Sequence, residues 1–194
     1  MTTLAAVPPT RAGCPPWASA VLSFWFDELG PGRWFASSDE TDRLVRQRFQ
    51  TLHGELAAAP LATLLASAET VLAAVIVLDQ FPRNMHRGEA AAFATDANAR
   101  ALADAAIARG FDTSLDKHGR LFLYLPFEHS ENLPDQERAV ALISALGDAT
   151  LTDYAVRHRD VIMRFGRFPH RNSALGRPST DEEAAFLTQP GSRF

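Results

Sequence analysis

The chain has little cysteine, little lysine and no long apolar run, and these shortages exclude several classes of protein. Cys14 is the single cysteine, so no intrachain disulfide and no thiolate metal site can form. The longest apolar run, residues 71–78, is far shorter than the roughly 20 residues needed to cross a bilayer. The net charge is −4, so there is no general basic field to attract nucleic acid or acidic lipid. We therefore expect a cytoplasmic protein that binds neither membranes nor nucleic acids.

Sequence signatures of common cofactor and metal sites are also missing. The chain contains neither G-x-x-x-x-G-K-[ST] nor a strand-linked G-x-G-x-x-G, and it has no H-E-x-x-H spacing. We predict no cofactor and no metal. A phosphate site in this chain would have to be built from arginines and helix N-termini.

What the chain does contain is helical periodicity almost throughout, without a persuasive alternating strand pattern. Proline, glycine and capping residues predict the helix bounds. The predicted helices span about 17–29, 37–58, 62–79 (in two pieces), 91–109, 117–125, 133–146, 151–165 and 180–188. The second piece of 62–79 is apolar on every side, which predicts a central buried helix. We expect one all-α domain of about eight antiparallel helices at 17–194, behind a disordered, proline-rich tail at 1–16.

Two segments, 79–84 and 166–172, place an aromatic residue and a proline just before arginine and asparagine. Because proline restricts its own φ and the residue before it, both segments are predicted to be rigid turns. Asp79 lies at the end of the most apolar helix, where a carboxylate needs a cation or several donors. Arg167 and Arg171 are its candidate partners if the two turns meet. Such an array suits either an anionic ligand or an internal ion-pair network.

A third polar segment, 124–132, follows a short apolar helix that we expect to end before Pro126. Within it, His129 is a candidate general base beside acidic residues. Ser130 or Asn132 could instead cap the next helix, with His129 packed against it. His170, in the second turn, is placed for proton transfer to a ligand held by arginines. Its alternative role is a hydrogen bond to a backbone carbonyl.

These motifs resemble a mostly bacterial family catalogued as domain of unknown function 924. The resemblance runs from about Trp17 to the C-terminus and is carried by 22–26, 78–84, 124–131, 164–172 and 175–177. It implies an all-helical, tetratricopeptide-like fold, and it supplies no activity. The stretch 59–69 departs from the family by lacking its tryptophan and Gly-Lys-type residues. No 34-residue repeat is visible in the sequence itself.

The three polar segments follow helices whose ends can share one side of an antiparallel stack, so we predict that they converge on one site. In the leading hypothesis, arginines bind an anionic group, asparagines orient it, and histidines transfer protons. The candidate catalytic residues are His129 and His170, and the candidate ligand-binding residues are Asp79, Gln80, Arg83, Asn84, Glu128, Glu131, Arg167, Arg171 and Asn172.

Three functions fit this hypothetical site. A binding module would hold an anionic small molecule, or a peptide bearing acidic groups or a carboxylate, in an open groove. An enzyme with hydrolase-type acid/base chemistry would hold its substrate by the same arginines in a closed pocket, with His129 or His170 within reach. Alternatively, the motifs only fasten the fold together as an ion-pair network. The sequence does not indicate an oligomeric state.

Overall fold

The computed structural model describes residues 14–192, and every regular element in this range is helical, which confirms the predicted all-α class. The α-helices are α1 (Pro16–Leu22), α2 (Asp39–Ala58), α3 (Ala68–Val75), α4 (Phe81–Met85), α5 (Asp96–Ala108), α6 (Lys117–Glu128), α7 (Leu133–Ser144), α8 (Ala149–Phe165) and α9 (Asp181–Leu187). Short 3₁₀ turns lie at Leu61–Leu64, Ala90–Phe93, Phe111–Ser114 and Pro169–Arg171. Residues 1–13 of the predicted tail lie outside the described residues.

Two of the helices widen into π-helical turns. Ser23–Leu29 continues α1, and Ile76–Gln80 joins α3 to α4. The Phe81 N–H donates to the carbonyl of Ile76, five residues back. Pro82 has no N–H for the Leu78 carbonyl four residues before it, and that carbonyl accepts the Thr95 hydroxyl instead. The prediction that Pro82 makes this segment a turn was therefore wrong, because a continuous helix accommodates the proline.

Two predicted helix bounds also need correction. Helix α6 does not end before Pro126 but runs through it to Glu128. All residues of 121–128 are buried, so tertiary packing offsets the roughly 3 kcal/mol by which proline disfavours a helix interior. Helix α2 begins after Ser38 rather than Ser37, since the Ser38 Oγ accepts the Thr41 N–H at 3.3 Å.

Helix α3 is the centre of the packing, as predicted. Every residue of 70–80 is buried, and α1, α5 and α6 pack against it. Helix α7 packs on α6, and α8 packs on α7. Short loops join α6 to α7 and α7 to α8, so these consecutive helices run antiparallel. No helix among the described residues is long and apolar enough to cross a membrane.

Candidate functional site

Asp79 is a fully buried carboxylate, 0% exposed, at the end of the π-helical turn after α3. The Nδ1 atom of His129 lies 2.8 Å from its Oδ1, and Gln80 Nε2 donates to its Oδ2 at 2.6 Å. Arg83 Nη1 lies 3.5 Å from Oδ1 and also donates to the Asp79 backbone carbonyl. Three side chains from two of the polar segments therefore surround one carboxylate.

These contacts determine how Asp79 and His129 ionise. Burial opposes ionisation of Asp79, but His129 and Arg83 outweigh it and hold the pKa of Asp79 below its ordinary value. Burial and the charge of Arg83 lower the pKa of His129, against the attraction of Asp79. At neutral pH the pair is thus a carboxylate and a neutral imidazole. The Nδ1–H then donates to Asp79, which leaves a lone pair on Nε2.

Glu128 and His158 form a second buried pair, 5% and 6% exposed. His158 Nδ1 lies 3.2 Å from Glu128 Oε1 and 2.8 Å from the Tyr154 carbonyl. Burial, together with repulsion from Asp79, raises the pKa of Glu128 to about 8. Burial lowers the pKa of His158 to about 3. At pH 7 this contact therefore joins a protonated carboxylic acid and a neutral imidazole, and it is not an ion pair.

One arginine from each aromatic–proline segment, Arg83 and Arg171, contacts the same carboxylate, Asp96. Arg83 binds it through two nitrogens, at 2.8 and 2.9 Å, whereas Arg171 makes one contact at 3.5 Å. The Arg171 guanidinium lies between Phe93 and Phe168, 4.6 and 4.5 Å from the ring centroids. Arg171 is 6% exposed, and its Nε has no hydrogen-bond acceptor among the described residues. Burial and the charge of Arg83 lower the pKa of Arg171 to about 10.

The asparagine of the first segment points elsewhere, to a carboxylate in the first turn of α2. Asn84 Nδ2 donates to Asp42 Oδ1 at 2.8 Å. Arg87 donates to the two oxygens of Asp42 through Nε and Nη2, each at 2.9 Å. We call Asp42, Asn84 and Arg87 the α2 clamp, because they fasten the segment to the start of that helix.

The second segment builds a matching α9 clamp, which comprises Glu183, Asn172 and Arg167. Arg167 donates to both oxygens of Glu183, at 2.6 and 2.8 Å, and Asn172 Nδ2 lies 3.3 Å from Oε2. Glu183 also belongs to the capping box that begins α9 with Thr180. The Arg167 hydrogen bonds are the main cause that lowers the pKa of Glu183 to about 2. In both clamps the carboxylate occupies a first helical turn, where the helix dipole favours an anion.

Glu131 and Arg177 hold the second segment from its other side. Arg177 donates to both oxygens of Glu131, at 2.7 and 2.9 Å. Glu131 accepts the Phe168 N–H at 2.8 Å, and Arg177 donates to the Phe168 carbonyl at 3.2 Å. This pair therefore positions one of the two rings that enclose Arg171.

The structure thus divides the predicted residues into two groups. We define the Asp79 cluster as Asp79, Gln80, Arg83, Asp96, His129 and Arg171. All of these except Asp96 were predicted site residues and form the first group, and the predicted residue Glu128 lies next to the cluster. The charges of Arg171 and Arg83, after burial, lower the pKa of His170 to about 3, so His170 lies within the field of this cluster. The other group binds protein carboxylates or backbone outside the cluster: Asn84, Glu131, Arg167 and Asn172.

Sequence reasoning missed Asp96, which belongs to the cluster, and Phe93, whose ring lies against Arg171. Asp96 stands in the first turn of α5, where an acidic residue is the ordinary partner of a helix dipole, so its position carried no signal of a site. The capping alternative for the third segment fits the geometry, since Asn132 Oδ1 accepts the Asp135 N–H at 3.4 Å. Ser130 donates to Asp135 at 2.6 Å and does not contact His129 in any hydrogen bond of the described residues.

Two cavities lie away from the Asp79 cluster. One of about 390 Å³ is at the start of α3, and one of about 330 Å³ is beside the α9 clamp. No residue of the Asp79 cluster lines either of them, so these two openings and the buried chemistry are in different places. Within residues 14–192, no group of three or more His, Cys, Asp and Glu side chains could hold a metal ion.

Comparison with known proteins agrees with the motifs. The model of a family described as a bacterial protein of unknown function, DUF924, matches residues 21–191. The chain belongs to the DUF924 family. The solved structure of a protein of unknown function from Agrobacterium tumefaciens is similar, with 42% identity and a TM-score of 0.83 over 88% of this chain and 96% of that one. No curated protein matches the chain.

All residues of the Asp79 cluster and of both clamps lie inside the DUF924 match. The family resemblance inferred from the sequence motifs is therefore confirmed. The DUF924 family and the Agrobacterium protein are both described as of unknown function, so neither assigns a ligand or a reaction to these residues. The function of this DUF924 protein has to be argued from its geometry.

Proposed function

We propose that this protein binds the carboxylate or phosphate group of a small molecule at Arg171, on the partly exposed side of the Asp79 cluster. The observation that carries the proposal is the incomplete pairing of Arg171. A buried guanidinium has five N–H donors and costs free energy unless they are satisfied. Arg171 has one long contact to Asp96 and an Nε without an acceptor among the described residues.

Four arginines within or shortly after the two aromatic–proline segments supply the contrast. Each donates through two nitrogens to a carboxylate at 2.6–2.9 Å: Arg83, Arg87, Arg167 and Arg177. Those four have the geometry of structural ion pairs, which is the fastening role weighed from the sequence. Arg171 alone among the five is held mainly by aromatic rings, which orient a guanidinium without using its N–H groups. A planar carboxylate or a phosphate could occupy the fork that the protein leaves open.

Burial favours a small ligand over a peptide. Arg171 is 6% exposed, and the groups that interact with it, Arg83, Phe93, Asp96 and His170, are only partly exposed. An extended peptide would need an open groove along these residues. A ligand anion would replace the 3.5 Å contact of Arg171 with Asp96, while Arg83 keeps Asp96 neutralised.

The test is anion binding by the wild type and by Arg171→Met, which keeps an unbranched side chain and removes the charge. We expect inorganic phosphate or succinate to raise the melting temperature of the wild type and not of Arg171→Met. Arg43→Gln changes the same charge at an exposed position and should respond like the wild type. Because a poorly paired buried cation is costly, Arg171→Met should unfold within about 1 kcal/mol of the wild type or be more stable.

Two outcomes would contradict the proposal. One is a shift by phosphate and succinate that Arg171→Met retains, which would place the bound anion elsewhere. The other is a loss of more than about 3 kcal/mol in Arg171→Met without any wild-type shift, because breaking a structural buried pair costs that much. The second result would assign Arg171 to fastening the fold.

A second candidate function, acid/base catalysis on the bound anion, is favoured by one specific contact. Asp79 Oδ1 lies 2.8 Å from His129 Nδ1, the arrangement in which a carboxylate orients an imidazole so that Nε2 can accept a proton. NMR titration of the His129 ring tests whether this base lies beside the anion site. We expect phosphate to raise the pKa of His129, because a nearby anion stabilises the imidazolium. Identical titration curves in phosphate and chloride would rule out this role.

A further inference from the structure

We propose that the molecule bound at Arg171 is a free α-amino acid, whose carboxylate contacts Arg171 and whose ammonium group contacts Asp96. The inference rests on the anion site proposed above and names the class of its ligand. Asp96 is the second binding group, because its carboxylate lies 3.5 Å from Arg171 and 15% of its side chain is open to solvent.

The Asp79 cluster is electrically balanced before any ligand binds. It holds two carboxylates, Asp79 and Asp96, and two guanidinium groups, Arg83 and Arg171. The remaining titratable group, His129, is a neutral imidazole at pH 7, since burial and the charge of Arg83 lower its pKa. A bare anion would therefore leave the buried cluster with a negative charge that nothing compensates, which is costly.

The contacts of Arg83 show where a positive charge on the ligand would be needed. Arg83 donates to both oxygens of Asp96 at 2.8 and 2.9 Å, but it also lies 3.5 Å from Asp79. When Arg171 turns its donors to a ligand carboxylate, this one guanidinium serves two protein carboxylates. An ammonium group at Asp96 then replaces the positive charge that Arg171 supplied there, and the total charge of the cluster stays at zero.

The spacing of the two protein groups favours adjacent charges on the ligand. Arg171 Nη1 and Asp96 Oδ2 are 3.5 Å apart, so the ligand groups that bind them must also be neighbours. An α-amino acid carries its ammonium group and its carboxylate on one carbon atom, whereas longer amino acids separate them by a chain. Glu131 is not an alternative partner for the ammonium group, because Arg177 binds both of its oxygens and is paired with no second carboxylate among the described residues.

Both the surroundings and the chemistry favour a free amino acid over a peptide. Neither of the two cavities described above reaches the cluster, and Arg171 is buried between the rings of Phe93 and Phe168. A peptide carries its ammonium group on the first residue and its carboxylate on the last. It therefore never presents both charges on one α-carbon, as the spacing of Arg171 and Asp96 requires.

The test compares L-alanine with L-lactate, which has a hydroxyl group in place of the ammonium group, and with L-alaninamide, which lacks the carboxylate. Calorimetric titration of the full chain at neutral pH measures the three affinities. We expect L-alanine to bind roughly tenfold or more tightly than either analogue, because each analogue loses one charged hydrogen bond. γ-Aminobutyrate, whose charges are separated by a chain, should bind no more tightly than L-lactate.

Substitutions separate the two contacts. Asp96→Asn keeps the shape of the side chain and removes its charge, so it should bind L-alanine and L-lactate equally. Arg171→Met should bind neither of them. Asp104→Asn changes an exposed carboxylate on the same helix, α5, and should keep the preference of the wild type for L-alanine. The comparison of ligands on the wild type decides the question even where Asp96→Asn does not fold.

NMR titration of the His129 ring in the wild type gives a second readout. L-lactate brings a negative charge alone and should raise the pKa of His129, because the anion stabilises the imidazolium. L-Alanine brings its own positive charge and should raise it less. An equal rise with both ligands would contradict the placement of the ammonium group in the cluster.

The outcomes distinguish this inference from the anion site on which it rests. Equal affinity of the wild type for L-alanine and L-lactate would overturn the inference and leave the anion site standing. The same holds for a preference for L-alanine that Asp96→Asn retains. Binding of L-alanine that Arg171→Met retains would overturn both, as would no binding of L-alanine, L-lactate, phosphate or succinate up to about 10 mM.

Discussion

The two aromatic–proline segments use the same residue types in different backbone shapes. The first is helical through Phe81–Met85, whereas the second leaves α8 at Gly166, with φ of 67°, and passes through a 3₁₀ turn. Each nevertheless sends its asparagine to a carboxylate in a first helical turn and its arginine to Asp96. The shared residues therefore encode a common set of tertiary contacts and not a common local conformation.

The two segments differ in the residues just before the aromatic ring. Asp79 and Gln80 precede Phe81, while Gly166 and Arg167 precede Phe168. The first pair brings a buried carboxylate to His129. The glycine of the second pair ends a helix, and the arginine faces α9. The fastening function is thus common to both segments, and the buried acid/base pair belongs to the first.

The largest expected effect on stability comes from removing Asp79, which has no counterpart in the second segment. Asp79→Ala should lower the free energy of unfolding by about 3–5 kcal/mol, because it leaves the His129 and Gln80 donors without their buried acceptor and removes one of the two carboxylates beside Arg83. Urea unfolding measures this loss. Asp104→Ala removes the exposed partner of Arg138 and should cost less than about 1 kcal/mol. Similar losses in the two variants would mean that the Asp79 cluster is no more important to folding than a surface pair.

The next largest effect is a pH dependence of the free energy of unfolding, which originates at Glu128, beside the Asp79 cluster. The folded-state pKa of Glu128, about 8, is raised above the ordinary 4.5, so at pH 6.5–8 the folded chain holds a proton that the unfolded chain has lost. The contribution of Glu128 to the free energy of unfolding should therefore fall as pH rises, by up to about 1.4 kcal/mol per pH unit. His158 and His170 have folded-state pKa values of about 3. They contribute an opposing rise that is complete only above about pH 7.5, because an unfolded histidine is still half protonated at pH 6.5.

Glu128→Gln should remove that fall, since glutamine does not ionise. Urea unfolding at several pH values between 6.5 and 8 should show that the difference in free energy of unfolding between the wild type and this variant falls as pH rises. The exposed Glu137→Gln serves as the matched control and should follow the wild type. Parallel curves for the wild type and Glu128→Gln would show that Glu128 is already ionised in the folded protein.

The smallest expected effects test whether the α2 clamp and the α9 clamp are equivalent. Asn84→Ala and Asn172→Ala should each lower the free energy of unfolding by about 1–2 kcal/mol, because each removes a hydrogen bond to a carboxylate that keeps its arginine. The double variant should show an additive loss to within about 0.5 kcal/mol, since the clamps share no residue. Phosphate binding at Arg171 should persist in both single variants. A large loss at one asparagine and none at the other would break the equivalence.

The sequence was most informative where local chemistry decides the outcome. Capping residues and glycines located the helix ends to within a few residues, and the apolar run of 71–78 correctly indicated the buried central helix. The errors came at Pro82 and Pro126, where burial overrides the local tendency of proline to end a helix. Asp42, Asp96 and Glu183 could not be recognised as partners, because each looks like an ordinary acidic residue at a helix start.

By itself, the sequence determined the helical class, the family and the residue types available for a site. Only the tertiary structure decided which arginine is paired and which is left incomplete. Arg83, Arg167 and Arg171 look alike in sequence, yet only Arg171 lies between two rings with a single long carboxylate contact. The physical reason is that pairing of a buried charge depends on groups brought together by packing from distant helices, over which local sequence has no control.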